Sequence, residues 1–104
     1  MAIQAAGNLL DACVLSMLAE EDTYGYVLTQ KVKSLLDVSE STLYPVMRRL
    51  QSDDCLTVYD EPYNGRNRRY YRITEPGKDK VREYIDEWRE FKRRIDTFLG
   101  GAEQ

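Results

Sequence analysis

The Asn-Gly pair at Asn64–Gly65 constrains the fold of this chain more than any other feature of its sequence. It separates two segments, CLTVYDEP and RRYYRIT, in which residues of opposite character alternate. Asn-Gly between two such segments is the strongest local signal for a β-hairpin. In the second strand, Tyr71 and Ile73 are expected on one face, and Tyr70 and Arg72 on the other.

Three amphipathic helices are predicted before the hairpin, because apolar residues recur there at helical spacing. Helix 1 is expected to run from Asn8 to Glu20, with Asn8 able to cap it. Helix 2 is expected to run from Tyr24 to Leu35, with Thr23 as its cap. Gly25 is a poor helix former, and close packing against a neighbour is the usual reason for such a glycine. The predicted apolar face of helix 2 consists of Val27, Leu28, Val32 and Leu35.

The third helical segment, STLYPVMRRLQS, has one apolar face and one polar face. Either Ser39 or Ser41 can cap it. If Ser41 is the cap, Pro45 removes only the first intrahelical hydrogen bond. The apolar face holds Leu43, Val46, Met47 and Leu50, and the polar face with its flanks holds Ser41, Thr42, Tyr44, Arg48, Arg49 and Ser52.

The C-terminal segment is predicted to be one long helix, with Thr74 as its cap and Pro76 in its first turn. Its apolar residues are separated by alternating steps of three and four, which is the period of a coiled-coil seam. Balanced charge around that narrow seam favours a helix that packs on a partner. The seam, and hence the predicted dimer interface, consists of Val81, Tyr84, Trp88, Phe91, Ile95 and Phe98.

The elements follow the order α-α-α-β-β-α, so the expected fold is mostly α with one small β-hairpin. Three helices followed by a hairpin is the arrangement of a winged helix-turn-helix. The predicted division is a winged helix-turn-helix DNA-binding domain over residues 1–74, a dimerisation helix over 75–99 and a disordered tail over 100–104. In such a unit the third helix enters the major groove of DNA.

Composition argues against an enzyme. The chain has no histidine, and its carboxylates do not pair inside apolar stretches, so the usual general bases and metal ligands are missing. No catalytic residue, metal site or cofactor is therefore predicted. No apolar run is long enough to span a membrane, no signal peptide is recognisable, and a cytoplasmic location is expected. Cys13 is predicted to be a core residue, and Cys55 either a structural residue or a thiol sensor.

Positive charge is concentrated in the hairpin of an otherwise acidic chain. The net charge is −3, yet residues 64–72 contain four arginines and no carboxylate. Alone, these arginines fit a solvated hairpin as well as a phosphate-binding one, but their position after three helices favours DNA binding. A protein-interaction adapter that does not bind DNA remains the alternative, because a fold does not fix a function. The predicted DNA-binding residues are Ser41, Thr42, Tyr44, Arg48, Arg49, Arg66, Arg68 and Arg69.

Three segments, YGYVLTQKV, STLYPVMRRLQ and GRNRRYYRITEPG, resemble the PadR family of transcriptional regulators. The resemblance covers nearly the whole chain, and the single C-terminal helix is similar to that of the smaller PadR subfamily. It implies a homodimeric repressor that binds a palindromic operator, with the last helix crossing to its partner. The chain departs from the family at Cys55, where glycine is usual, so the turn after helix 3 is expected to be built differently.

The resemblance also implies where a small molecule could act. In one multidrug-sensing branch of the family, a tryptophan at the position matched by Trp88 stacks on planar drugs between the subunits. One hypothesis is therefore a planar aromatic effector at the dimer interface, held by Trp88 and walled by Leu15 and Leu18 or other helix 1 residues. The other hypothesis is that Trp88 only packs the core of the dimer.

Overall fold

The computed structural model describes residues 7–100, which form helices around a small antiparallel sheet. The strands pair in the order β1-β3-β2. This arrangement confirms the predicted fold class, mostly α with a small β-hairpin in a winged helix-turn-helix. In chain order the elements are α1 (Gly7–Glu20), β1 (Thr23–Tyr24), α2 (Gly25–Leu36), α3 (Glu40–Ser52), β2 (Leu56–Tyr63), β3 (Arg66–Ile73) and α4 (Glu75–Leu99).

The hairpin of β2 and β3 turns at Asn64 and Gly65, whose φ angles are 52° and 78°. Two positive φ angles fit a type I′ turn, the two-residue turn that Asn-Gly favours. This turn fixes the register of the strands, with Tyr63 opposite Arg66 at the tip. The predicted hairpin is therefore confirmed, and its register decides which side chains share a face.

Helix α2 begins one residue later than predicted because Tyr24 belongs to the sheet. Thr23 and Tyr24 pair with Tyr71 and Tyr70 of β3. Tyr24 rather than Thr23 thus precedes the helix, and its side chain makes no cap bond. Gly25 follows directly, and a Cβ at Gly25 would lie 3.0 Å from Cε1 of Tyr71. Close packing is therefore the reason for the glycine, as predicted.

Helix α3 is capped by Ser39 rather than Ser41. The Ser39 hydroxyl accepts a hydrogen bond from the backbone N–H of Thr42 at 3.3 Å. Pro45 consequently lies in the second turn, and the case in which it removes only the first intrahelical bond does not apply. The carbonyl that loses a partner is that of Ser41, an exposed residue, so water can bond this oxygen.

One hydrophobic core joins the first three helices to the sheet and to the start of α4. Leu15 and Leu18 belong to it, with 0% and 2% exposure, so their predicted place at an effector cavity is wrong. The predicted apolar face of α2 is half right, because Val27 and Leu35 are exposed. The other core residues are Leu10, Val14, Leu28, Val32, Leu43, Val46, Met47, Leu50, Cys55, Leu56, Ile73 and Val81.

Helix α4 has the predicted bounds, and its first turns pack on the core. Thr74 caps it by accepting a hydrogen bond from the N–H of Gly77 at 3.0 Å. A Cβ at Gly77 would collide with the carbonyl oxygen of Cys55, so the helix lies directly on the chain that leads into β2. The predicted tail over 100–104 lies outside the described residues except for Gly100, whose φ of 88° ends the helix.

The turn after α3 places its left-handed residue at Asp54 rather than at Cys55. Asp54 has a φ of 63°, whereas Cys55 is buried in the core. The expectation of a differently built turn is thereby confirmed. Burial also raises the pKa of the Cys55 thiol, which disfavours the reactive thiolate. Both observations support a structural role for Cys55.

Candidate nucleic-acid interface

The polar face of α3 presents most of the side chains predicted to meet DNA. Ser41, Thr42, Tyr44 and Arg48 are all exposed. The hydroxyls of Ser41 and Thr42 lie 2.9 and 3.1 Å from the Ser39 hydroxyl, so the start of the helix carries a cluster of hydroxyl groups. Such a helix start can bond both phosphates and base edges.

Arg49 differs from these residues because its guanidinium is engaged within the protein. It forms an ion pair with Asp11 of α1, whose side chain is 6% exposed. Burial raises the pKa of Asp11, and the charge of Arg49 acts in the opposite direction. The hydroxyl of Tyr84 on α4 also donates to Asp11 in a long hydrogen bond of 3.4 Å. One carboxylate thus joins three helices, and a contact of Arg49 with DNA stays a prediction.

Arg48 and Arg69 both line a concave site between α3 and β3, which we call the notch. It encloses about 290 Å³ and is lined by Tyr44, Met47, Arg48, Gln51, Arg69 and Tyr71. Its two arginines come from the two elements that a winged helix-turn-helix places on DNA. Two guanidinium groups, two phenols and an amide can together donate to a phosphate group. Helical spacing alone did not single out Gln51, which lies one turn after Arg48 on the same face.

The register of the hairpin separates the four arginines that lie close together in the sequence. Because side chains alternate along a strand, Arg69 shares the face of the buried Ile73. Arg66, Arg68 and Arg72 lie on the opposite, outer face of the sheet. The hairpin therefore presents positive charge on two faces, and only the face of Arg69 adjoins the notch.

Carboxylates close to the hairpin offset part of its charge. Asp60 lies opposite Arg69 in the register, with 3.7 Å between Oδ1 and Nε. Asp22 accepts a hydrogen bond from Nε of Arg72 at 3.0 Å. Neither Asp60 nor Asp22 lies within residues 64–72, so the charge count of that segment does not include them. Counting outward from the two-residue turn pairs Asp60 with Arg69, so the sequence contains the signal for that pair.

Tyrosine rings surround the arginines of the outer face. The rings of Tyr59 and Tyr70 stack with 5.5 Å between their centroids, and those of Tyr24 and Tyr70 lie 5.8 Å apart. The guanidinium carbon of Arg68 lies 3.5 Å from the ring centroid of Tyr63 and 4.5 Å from that of Tyr24. These contacts fix the orientation of Arg68 in a way that sequence alternation does not predict.

A second concave site is an apolar groove formed by α1, the end of α2 and α4. Trp88 is 41% exposed at this groove, and its ring lies 6.4 Å from that of Phe91. Cys13, predicted in the core, is half-buried and lines the groove instead. The walls expected from Leu15 and Leu18 are supplied by other helix 1 residues. The groove encloses about 500 Å³ and is lined by Leu9, Ala12, Cys13, Ser16, Leu36, Tyr84, Ile85 and Trp88.

The predicted seam of α4 divides into two parts. Val81 is buried in the chain's own core, and Tyr84 packs against that core. Farther along, Phe98 is 83% exposed and Leu99 is 75% exposed. Large apolar side chains left exposed in this way at the end of a helix are typical of an interaction surface.

Neither a metal centre nor a membrane helix occurs in the part of the chain that the structure describes. No group of acidic or cysteine side chains between residues 7 and 100 could hold a metal ion. No helix in that range combines the length and the apolar character needed to cross a bilayer.

A family model covers the helix-turn-helix, the hairpin and the start of α4. Residues 14–83, more than half of the chain, match the transcriptional regulator PadR-like family. The chain belongs to this family. The PadR resemblance of the three sequence segments is thereby confirmed. PadR-like proteins are transcriptional regulators, so the expectation that the chain is not an enzyme is confirmed as well.

Similarity to individual PadR-like and related proteins extends over nearly the whole chain. Transcriptional regulator Rv3488 of Mycobacterium tuberculosis is 34% identical over 89 residues, which are 85% of this chain and 80% of that protein. The structure of smu.1704 from Streptococcus mutans superposes with a TM-score of 0.85 at 31% identity, covering 97% of this chain and 95% of that one. A PadR family regulator from Clostridium difficile gives a TM-score of 0.78 at 30% identity, covering 86% and 97%.

Proposed function

We propose that this PadR-like protein is a homodimeric repressor that binds a palindromic operator. Helix α3 lies in the major groove, and the hairpin lies against the neighbouring backbone. The observation that carries the proposal is the notch, where Arg48 and Arg69 present two guanidinium groups from two different elements. The protein then acts where the DNA is, in the cytoplasm. The side chains proposed to contact DNA are Ser41, Thr42, Tyr44 and Arg48 on α3, and Arg66, Arg68 and Arg69 on the hairpin.

Replacing both notch arginines, Arg48→Ala with Arg69→Ala, is expected to weaken binding to every duplex. A lost hydrogen-bonded charge contact costs roughly 1.5–3 kcal/mol, which is about tenfold or more in affinity. Each lost phosphate contact also reduces the salt slope, meaning the steepness with which log K falls with log salt concentration, by about 0.9. Fluorescence anisotropy over a series of salt concentrations measures both quantities, with random duplexes and with the DNA upstream of the protein's own gene.

The matched control is Arg82→Ala, which removes an exposed arginine of α4 that pairs with Asp79. It should leave affinity and slope as in the wild type. Preference of the wild type for the upstream fragment supports an operator. Wild-type protein that binds no duplex at low salt contradicts the proposal and favours the adapter alternative.

We also propose that α4 forms the dimer and that the groove beside it binds a planar aromatic effector that releases the repressor. The exposure of the seam residues Trp88 and Phe98 supports the first statement. The groove supports the second, since its 500 Å³ falls among the volumes typical of small-molecule sites. Trp88 connects the two, because it belongs to both the seam and the lining of the groove.

Planar aromatic cations are expected to quench or shift the emission of Trp88, the only tryptophan of the chain. Stacking on the indole changes its environment directly, so a saturable change in fluorescence reports binding. An aliphatic cation of equal charge serves as the ligand control. Ala12→Leu, which narrows the groove without touching the indole, should weaken the response. Unchanged emission with several planar compounds contradicts the effector site and leaves Trp88 as a packing residue.

A further inference from the structure

We propose that the tip of the hairpin carries a second phosphate-binding site, in which Tyr24 and Tyr63 hold Arg68 ready for the DNA backbone. The inference rests on the DNA-binding function proposed above and adds a site that the notch does not include. The site is a recess on the outer face of the hairpin, which we call the tip recess. It encloses about 460 Å³ and is lined by Tyr24, Tyr63, Asn64, Arg66, Asn67 and Arg68.

Arg68 is held by aromatic rings from both neighbouring strands. Its guanidinium carbon lies 3.5 Å from the ring centroid of Tyr63 on β2 and 4.5 Å from that of Tyr24 on β1. It is half-buried, whereas Arg66, Arg69 and Arg72 are exposed. A cation over the face of an aromatic ring is attracted to its π electrons. Stacking of this kind occupies the flat faces of the guanidinium and leaves its N–H edge for another partner.

The charges of the tip recess are not offset by ion pairs. Arg69 and Arg72 lie beside Asp60 and Asp22. Over residues 7–100, neither Arg66 nor Arg68 comes within ion-pair distance of a carboxylate, although Glu61 lies opposite Arg68 in the strand register. The recess is also lined by Asn67 and by Asn64 of the turn, whose amide group can donate further hydrogen bonds. A phosphodiester of the duplex backbone is the ligand that this set of donors suits.

The two tyrosines raise affinity by ordering Arg68 before DNA arrives. An arginine that moves freely loses side-chain entropy when it binds a phosphate, and this loss weakens binding. Arg68 has already lost much of that freedom between the two rings. Tyr24 and Tyr63 are therefore positioning residues, whose effect on DNA binding passes through Arg68.

A double-mutant cycle between Tyr63 and Arg68 tests this assignment on the full chain, with the same duplexes and salt series as for the notch. Tyr63→Leu is expected to weaken binding about three- to tenfold at every salt concentration, because ordering and not charge is lost. Arg68→Ala is expected to lower the salt slope by about 0.9, because one phosphate contact disappears. In the Arg68→Ala background, Tyr63→Leu should have no further effect. Tyr63→Phe, which keeps the ring, should bind as the wild type does.

Leu35→Ala is the control, because it removes an exposed apolar side chain of α2 that lines neither the notch nor the tip recess. It should leave affinity and slope unchanged. A Tyr63→Leu effect of equal size with and without Arg68 overturns the positioning role. The tip recess is overturned if Arg68→Ala leaves the salt dependence of binding unchanged while Arg48→Ala and Arg69→Ala reduce it. That outcome leaves the proposed function standing. A wild type that binds no duplex overturns both.

Discussion

Glutamate at two seam positions, Ile95→Glu with Phe98→Glu, is expected to convert the proposed dimer into monomers. Phe98 is 83% exposed in the single chain, so its apolar surface is free to be buried by a partner. In a symmetric dimer each substitution occurs twice, and four carboxylates would have to enter an apolar interface. Sedimentation velocity at micromolar protein concentration should show half the wild-type mass, with the helical circular dichroism of a folded chain.

The same variant should lose most of its affinity for a palindromic site. Two linked binding units gain a factor of about 10²–10⁴ over one unit when both half-sites are reached together. The control is Thr97→Glu, which places one glutamate at an exposed position beside the seam. Thr97→Glu should remain dimeric. A double glutamate variant that keeps the wild-type mass contradicts dimerisation through the second half of α4.

Arg49→Leu is expected to destabilise the fold far more than the loss of an exposed arginine does. It leaves the carboxylate of Asp11 buried without its cation. Breaking a fully buried pair costs about 3–5 kcal/mol, and because the Arg49 side chain is 47% exposed we expect about 2–3 kcal/mol. Urea unfolding at a fixed protein concentration measures the loss. Arg48→Leu, on the same helix but exposed, should change stability by less than about 0.5 kcal/mol.

The loss should also depend on pH in a defined direction. Because burial raises the pKa of Asp11 above its unfolded value, the native state binds more protons, and the contribution of Asp11 to stability falls as pH rises through that pKa. Arg49 opposes this shift and Asp53 adds to it, so removing Arg49 raises the pKa further. Tyr84, with a pKa raised to about 12, stays neutral throughout. The difference in free energy of unfolding between wild type and Arg49→Leu should therefore be larger at pH 8 than at pH 5. An equal difference at both pH values contradicts the pairing of Arg49 with Asp11.

The parts of the fold that depend on local sequence could be predicted. Asn64–Gly65 determines the hairpin through its own backbone preference, and Thr74 with Pro76 determines the start of α4. The start of α2 could not be predicted in this way. Tyr24 leaves the helix because it pairs with Tyr70, a residue far away in the sequence. Ser39 and Ser41 are equally good caps by residue type, and only the folded backbone distinguishes them.

The candidate site was predictable to a similar degree. Helical spacing identifies the polar face of α3, but it cannot show that Arg49 meets Asp11, because that contact joins two helices. The spacing of apolar residues likewise predicts that α1 is a helix, but it cannot show that Leu15 faces the core while Leu9 faces the groove. By contrast, the pairing of Asp60 with Arg69 follows from simple counting around the hairpin turn.

The hydrogen bonds of Thr74 fix the angle at which α4 leaves β3. Only Thr74 separates the strand from the helix, and its hydroxyl donates to the carbonyl of Asp54 at 2.6 Å while its N–H donates to that of Cys55 at 3.0 Å. Helix α4 has 25 residues and is about 37 Å long, so a tilt of about 5° at Thr74 moves its C-terminal end by about 3 Å. In a dimer that is held together by the C-terminal ends of two α4 helices, the distance between the two α3 helices depends on the angle between β3 and α4 at Thr74. Substitutions around Thr74, which lines none of the groove, the notch and the tip recess, would thus change the operator spacing that the protein accepts.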